Sequence, residues 1–102
     1  MKRGEIWWAA TVGGDRPVLV LTRDPVADRI DGVVVALCTR TIRGLTSELL
    51  LSPGHGMPDD CVVSFDNVFT IRKQLFRAKI TELDNTTMLA ACQVMNAALG
   101  CV

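Results

Sequence analysis

The run Gly32-Val33-Val34-Val35-Ala36-Leu37-Cys38-Thr39 is apolar at odd and even positions alike. Successive side chains of a strand point to opposite faces, so a strand built from this run is covered on both sides. It must lie in the middle of a sheet, and the neighbouring segments read as the strands around it. Glu5–Ala10 and Arg16–Thr22 come before it, parted by Val12-Gly13-Gly14-Asp15, a turn by composition. Pro17 lacks an N–H, which predicts an edge position for it. Arg23–Asp31, with Pro25 and charges of both signs, reads as a solvated loop, and Arg40–Gly44 as a basic one. Ser47–Leu51, Cys61–Ser64, Val68–Ile71 and Ala78–Leu83 complete the strands, with a long Pro- and Gly-rich turn at Ser52–Asp60.

Helical spacing occurs only at the end. Asp84 or Asn85 is placed to cap, and Met88, Cys92, Met95 and Leu99 then recur at three- and four-residue intervals, with Gly100 as the stop. The expected fold is mainly β, a small antiparallel barrel or curled sheet with one C-terminal helix packed against it. A chain of 102 residues makes a single domain spanning 1–102, since two would each be too small to bury a core. Its mean hydropathy of +0.29 is high for that size. A domain this small buries only about two thirds of the surface its unfolded chain exposes, so the apolar surplus points to a subunit interface.

Eleven basic and eleven acidic residues cancel, which excludes a polybasic coat; an anionic partner must be met by a local cluster. No apolar run approaches the ~20 residues of a membrane span, and Glu5 spoils a signal-peptide reading of the start, so a cytoplasmic protein is expected. Cys38, Cys61, Cys92 and Cys101 are widely spaced with no C-x-x-C pair; they read as small buried hydrophobes, and no metal or other cofactor is expected.

Adjacent Trp7 and Trp8 must face opposite ways, one towards the core and the other towards water, a partner or a ligand. His55 is the only histidine and lies in Pro53-Gly54-His55-Gly56, where it reads as exposed rather than catalytic. Serine-hydrolase and nucleotide-binding motifs are missing. The informative stretch is Cys38-Thr39-Arg40-Thr41-Ile42-Arg43-Gly44, in which two arginines and two hydroxyls offer donors and no acceptor charge. Arginine's planar fork suits phosphate oxygens, and eight of the eleven basic residues are arginine. If Arg16–Thr22 and Val33–Thr39 pair antiparallel with Thr22 opposite Val33, Arg16 falls opposite Thr39 on one face, about 5 Å away. Arg16 and the Thr39–Arg43 loop then form one cationic, hydroxyl-lined site suited to a phosphodiester.

These residues resemble a known family. Arg3-Gly4-Glu5-Ile6-Trp7-Trp8 followed by Arg16-Pro17-Val18-Leu19-Val20-Leu21 is similar to the opening of the MazF/PemK toxins. Thr39-Arg40-Thr41-Ile42-Arg43-Gly44-Leu45-Thr46-Ser47-Glu48-Leu49 resembles the second block of their actinobacterial members, and Cys61-Val62-Val63-Ser64-Phe65-Asp66-Asn67-Val68 the third. The resemblance implies a dimeric, SH3-like barrel of the CcdB/PemK toxin type and a metal-independent endoribonuclease. Such an enzyme is sequence-specific, cutting single-stranded RNA at short sequences to a 2′,3′-cyclic phosphate and a 5′-hydroxyl. It also implies a cognate MazE-like antitoxin with an acidic C-terminal tail. By motif position, the catalytic arginine falls on Arg16 and the catalytic threonine on Thr39, with Arg40, Thr41, Arg43, Asp66 and Asn67 as RNA-binding candidates. Asp66 is also a candidate base if it reaches the site.

Two departures from the family stand out. Thr11–Asp15 is much shorter than the common loop that gates RNA and meets the antitoxin, and Ala9 and Ala10 replace an acidic residue. The rival readings are a non-catalytic, gyrase-binding toxin of the CcdB kind and an inactive SH3-like binding module. The first relies on a C-terminal tryptophan segment, where this sequence has Ala98-Leu99-Gly100-Cys101-Val102. The second calls for exposed aromatics rather than an arginine–threonine cluster.

Overall fold

A computed structural model describes residues 1–24 and 26–101. Six strands, β1 (Glu5–Thr11), β2 (Gly14–Val20), β3 (Gly32–Thr39), β4 (Glu48–Leu51), β5 (Cys61–Arg72) and β6 (Phe76–Glu82), precede one helix, α1 (Asn85–Leu99). The strands form one sheet in the order β4-β5-β3-β2-β1-β6, every neighbour antiparallel. The sheet curls into a half-barrel. The valine-rich run is β3, in the middle as its composition requires. Its Ala36 and Cys38 join Ile6, Leu19, Val63 and Phe65 in one core cluster; Val33 and Val35 join Ala9, Val18, Ala27 and Ile71 in the other.

The helix forms where expected. Asp84 accepts the Thr87 amide at 2.8 Å, and Gly100 ends α1 in the left-handed region. Its packed stripe is turned slightly from the expected one: Ala91 is buried, and Met88, Val94, Met95 and Ala98 pack against the first cluster. Leu99 is 61% exposed and Cys92 only half-buried. With Ala91, Met95 and Ala98 turned to the sheet, Leu99 falls on the exposed side of the helix.

Other expectations need correcting. β1 and β2 run further towards each other, leaving the two-residue turn Val12-Gly13. Pro17 is not on an edge, since β2 lies between β1 and β3; the ladder to β3 begins only at Val18, so the missing N–H breaks no bond there. The two segments around Phe65–Asn67 are one strand, β5, whose ladder to β3 jumps from Ser64 to Val68 and bulges the three residues between them. In the 23–31 segment, Ala27 is fully buried on a short 3₁₀ turn, so the loop is anchored rather than wholly solvated. Pro25, assigned to that loop, lies outside the described residues. Two cysteines depart from the expected burial: Cys101 is exposed, and half-buried Cys92 accepts from the Arg3 guanidinium at 3.0 Å. Among the described residues no helix is long and apolar enough to cross a membrane.

Candidate active site

The β2–β3 ladder pairs Val18 with Leu37, Leu19 with Ala36 and Val20 with Val35. That is the register expected from the sequence: carried outwards, it sets Thr22 opposite Val33 and Arg16 opposite Thr39. Arg16 and Thr39, both half-buried, line a single cleft of about 600 Å³ at this end of the sheet. Arg40 and Thr41 line it too. Cys38, Cys61, Met57 and Pro17 supply apolar wall.

Local hydrogen bonds shape the loop that leaves β3. The Thr41 amide donates to the Thr39 hydroxyl oxygen at 3.2 Å, turning the chain immediately after the strand. Further on, one Glu48 carboxylate oxygen accepts the Arg43 amide at 3.0 Å and the Leu45 amide at 3.3 Å. The loop is thus fastened to the first residue of β4.

The electrostatics of the cleft follow from its wall. Burial pushes the Cys38 thiol far above its ordinary value, with Cys61 adding to the rise and Arg16 opposing it. Burial likewise raises Cys61, followed by Asp60 and Asp59. Both thiols therefore stay neutral, and the cleft's positive charge is that of Arg16 and Arg40. Two carboxylates that sequence reasoning missed also line it, Asp15 and Asp59. Asp59 stands 3.7 Å from Arg40, and Asp15 stands 3.8 Å from Arg77. Asp15 could have been suspected from its place beside Arg16. Asp59 lies in the Ser52–Asp60 turn, and no motif there signals it.

The tryptophans differ in burial, but neither fills the core: Trp7 belongs to neither core cluster. Trp7 is half-buried, edge-on to Phe76 at 6.0 Å, with its indole N–H donating to Glu5. Trp8 is 37% exposed and lines the cleft. Arg43, Asp66 and Asn67 are not among the residues lining the cleft. Asp66 and Asn67 belong to the β5 bulge, which takes them out of the β3 ladder. Asp66 accepts from the Ser47 hydroxyl at 2.5 Å, and Asn67 donates to the Ser64 hydroxyl at 3.0 Å. His55 is half-buried rather than exposed, and its Nδ1 accepts the Ser52 amide at 3.0 Å within a short capped turn.

A "Probable endoribonuclease MazF2" of Mycobacterium tuberculosis is 58% identical over 102 residues, spanning 99% of this chain and 100% of that protein. The Mycobacterium tuberculosis toxin MazF-mt6 superposes with a TM-score of 0.87 at 32% identity, covering 94% of this chain and 96% of that one. A mycobacterial endoribonuclease in complex with its cognate antitoxin shares the fold, with a TM-score of 0.89 at 22% identity over 98% and 95% of the two chains. The family model that matches residues 2–99 is described as PemK-like, MazF-like toxin of type II toxin–antitoxin system. Its span takes in the whole sheet, the Arg16–Thr39 cleft and the helix, and the chain belongs to that toxin family.

Proposed function

We propose that this toxin is an endoribonuclease acting in the cytoplasm as a single domain, cutting single-stranded RNA without a metal ion. The RNA's 2′-hydroxyl attacks the adjacent phosphorus, and the bond to the 5′-oxygen of the next nucleotide breaks. A 2′,3′-cyclic phosphate and a 5′-hydroxyl result. The protein's task is to position the strand and stabilise charge. Arg16 neutralises the developing phosphorane close to the leaving oxygen. Thr39 donates its hydroxyl hydrogen to a non-bridging oxygen. Arg40 and Thr41 hold the strand beside the scissile phosphate. Arg43, Asp66 and Asn67 are assigned to flanking RNA: each is exposed, on the loop after Thr39 or on the β5 bulge tied to that loop through Ser47.

The observation that carries this reading is the joint presence of Arg16 and Thr39 in one cleft. The 58% identity to a protein named as a probable endoribonuclease supports it. By analogy with the mycobacterial endoribonuclease found with its cognate antitoxin, we assign this chain a MazE-like antitoxin whose acidic tail complements the arginines. The exposed apolar side chains, Leu50, Leu89 and Leu99 among them, support a homodimer.

The test is incubation of the purified chain with a long RNA in excess chelator. Fragments ending in a cyclic phosphate and a 5′-hydroxyl are expected; intact RNA would overturn the reading. Sedimentation at micromolar concentration is expected to give a dimer, and an active monomer would remove that part.

A further inference from the structure

We propose that Trp8, Arg40 and Asp59 form a nucleobase subsite in the cleft, and that it takes guanine next to the scissile phosphate. The proposal rests on the endoribonuclease reading for its phosphate, and on separate observations for its base.

A phosphodiester presents acceptors and negative charge, so a site for phosphate alone has no use for a carboxylate. Asp59 nevertheless lines the same cleft as Arg16 and Thr39. The turn that leads to it is well fastened. The Ser52 hydroxyl accepts the Gly54 amide, His55 Nδ1 accepts the Ser52 amide, and the Thr81 hydroxyl donates to the His55 carbonyl. The start of the turn is thereby fixed, and Asp59, three residues on from Gly56, lines the cleft.

Its partner there is Arg40, at 3.7 Å. That separation is too long for a hydrogen bond, so the carboxylate keeps its lone pairs and the guanidinium its N–H donors. The side chains are 80% and 64% exposed for Arg40 and Asp59, so neither is committed to the protein. Together they offer two acceptors beside several donors. Only guanine among the four bases answers that pattern with adjacent N1–H and N2–H donors next to the O6 acceptor. Adenine and cytosine offer one amino group next to an acceptor, and uracil one N–H between two acceptors. A flat base also needs a face to lie on. Trp8 supplies it, with Pro17 and Met57 in the same wall. The cleft volume of about 600 Å³ leaves space for a base as well as its phosphate.

The test has a cleavage arm and a binding arm. Wild-type protein is given a pool of randomised single-stranded RNA and the new ends are sequenced; guanine is expected at one position flanking the cut. Replacing that guanine by inosine removes the exocyclic amine and is expected to lower wild-type kcat/KM about tenfold. Asp59→Asn is expected to lose most of that discrimination while keeping its thermal midpoint, because Asp59 is exposed. In the binding arm, guanosine monophosphate is expected to quench tryptophan fluorescence and to bind more tightly than inosine monophosphate. Trp8→Ala is expected to abolish the quench. RNA cleavage with no guanine preference, or equal discrimination by Asp59→Asn and wild type, would overturn the subsite and leave the nuclease intact. Guanine-selective binding without cleavage would overturn the nuclease reading and leave the subsite standing.

Discussion

The Thr41 amide donates to the Thr39 hydroxyl oxygen at 3.2 Å, which leaves the Thr39 hydroxyl hydrogen free to bond outward. The strand end thereby presents a donor to the cleft where a phosphate oxygen would lie. Thr39→Val keeps the side-chain shape and removes the donor. It is expected to slow RNA cleavage at least ~100-fold, the scale of losing one transition-state donor, and Thr39→Ser to retain most activity. Arg16→Ala is expected to lose at least as much. Circular dichroism checks that each variant folds; normal cleavage by folded Arg16→Ala protein would remove arginine from the mechanism.

Glu48 is a positioning residue for the same loop, because one of its oxygens holds the amides of Arg43 and Leu45. Glu48→Ala frees both. Hydrogen exchange at Arg43 and Leu45 is expected to quicken roughly fivefold, in line with losing a hydrogen bond of about 1 kcal/mol. KM for RNA is expected to rise more than kcat falls, since Thr39 and Arg16 stand on strands rather than in the loop. Glu48→Gln keeps an accepting oxygen and is expected to restore most of the protection. Unchanged exchange in the alanine variant would mean that something else holds the loop.

Much of this site is legible in the sequence for a definite physical reason. Two strands joined by one loop, each with an inward-facing apolar side, leave few registers open, and the one that opposes Thr22 to Val33 brings Arg16 to Thr39. The family blocks then add roles to those positions. Asp59 is not legible, because its place over the cleft depends on how a long turn folds back from the β4–β5 pair. Nor is the β5 bulge: Phe65-Asp66-Asn67 reads as a break between strands, whereas the chain keeps its direction and only skips rungs. The phase of the helix is missed by about one residue, since Ala91 and Cys92 suit a stripe equally by spacing and only the fit against the sheet decides between them.

The Ser52–Asp60 turn depends on Gly56, whose φ is +93° and which faces Thr81 across a gap with no space for a Cβ. Thr81 is the residue whose hydroxyl holds the His55 carbonyl, so a methyl group at 56 pushes on the bond that braces the turn. Gly56→Ala therefore combines left-handed strain with overpacking and is expected to destabilise by about 2–5 kcal/mol. Gly44→Ala, also at positive φ (+70°) but with open space around it, is expected to cost about 1–2 kcal/mol from strain alone. Urea unfolding of the two variants checks the difference, and equal losses would show that the Thr81 contact yields freely.

Glu5 places a carboxylate in the wall of the sheet, with its side chain 8% exposed. Burial alone would raise its pKa. The Lys79 ammonium at 2.9 Å, the Lys2 amide at 2.8 Å and the Trp7 indole together outweigh burial and hold it below its ordinary value. A carboxylate with a lowered folded pKa adds stability above its unfolded pKa, about 4.3, and loses it as pH falls through the folded value. Wild-type stability is therefore expected to be flat from neutral pH down to about 5 with respect to this group, and to fall below that. Glu5→Gln keeps the shape and an accepting oxygen but gives up the charge, and Lys79 remains in contact with water. It is expected to cost about 1–2 kcal/mol at pH 7. At pH 3 the gap is expected to narrow, because the unfolded chain's carboxylate takes up a proton below about 4.3 while the folded one resists it, which takes stability from the wild type and not from the glutamine variant. Urea midpoints at the two pH values measure it, and an equal gap at both would show that Glu5 acts through shape and hydrogen bonding rather than charge.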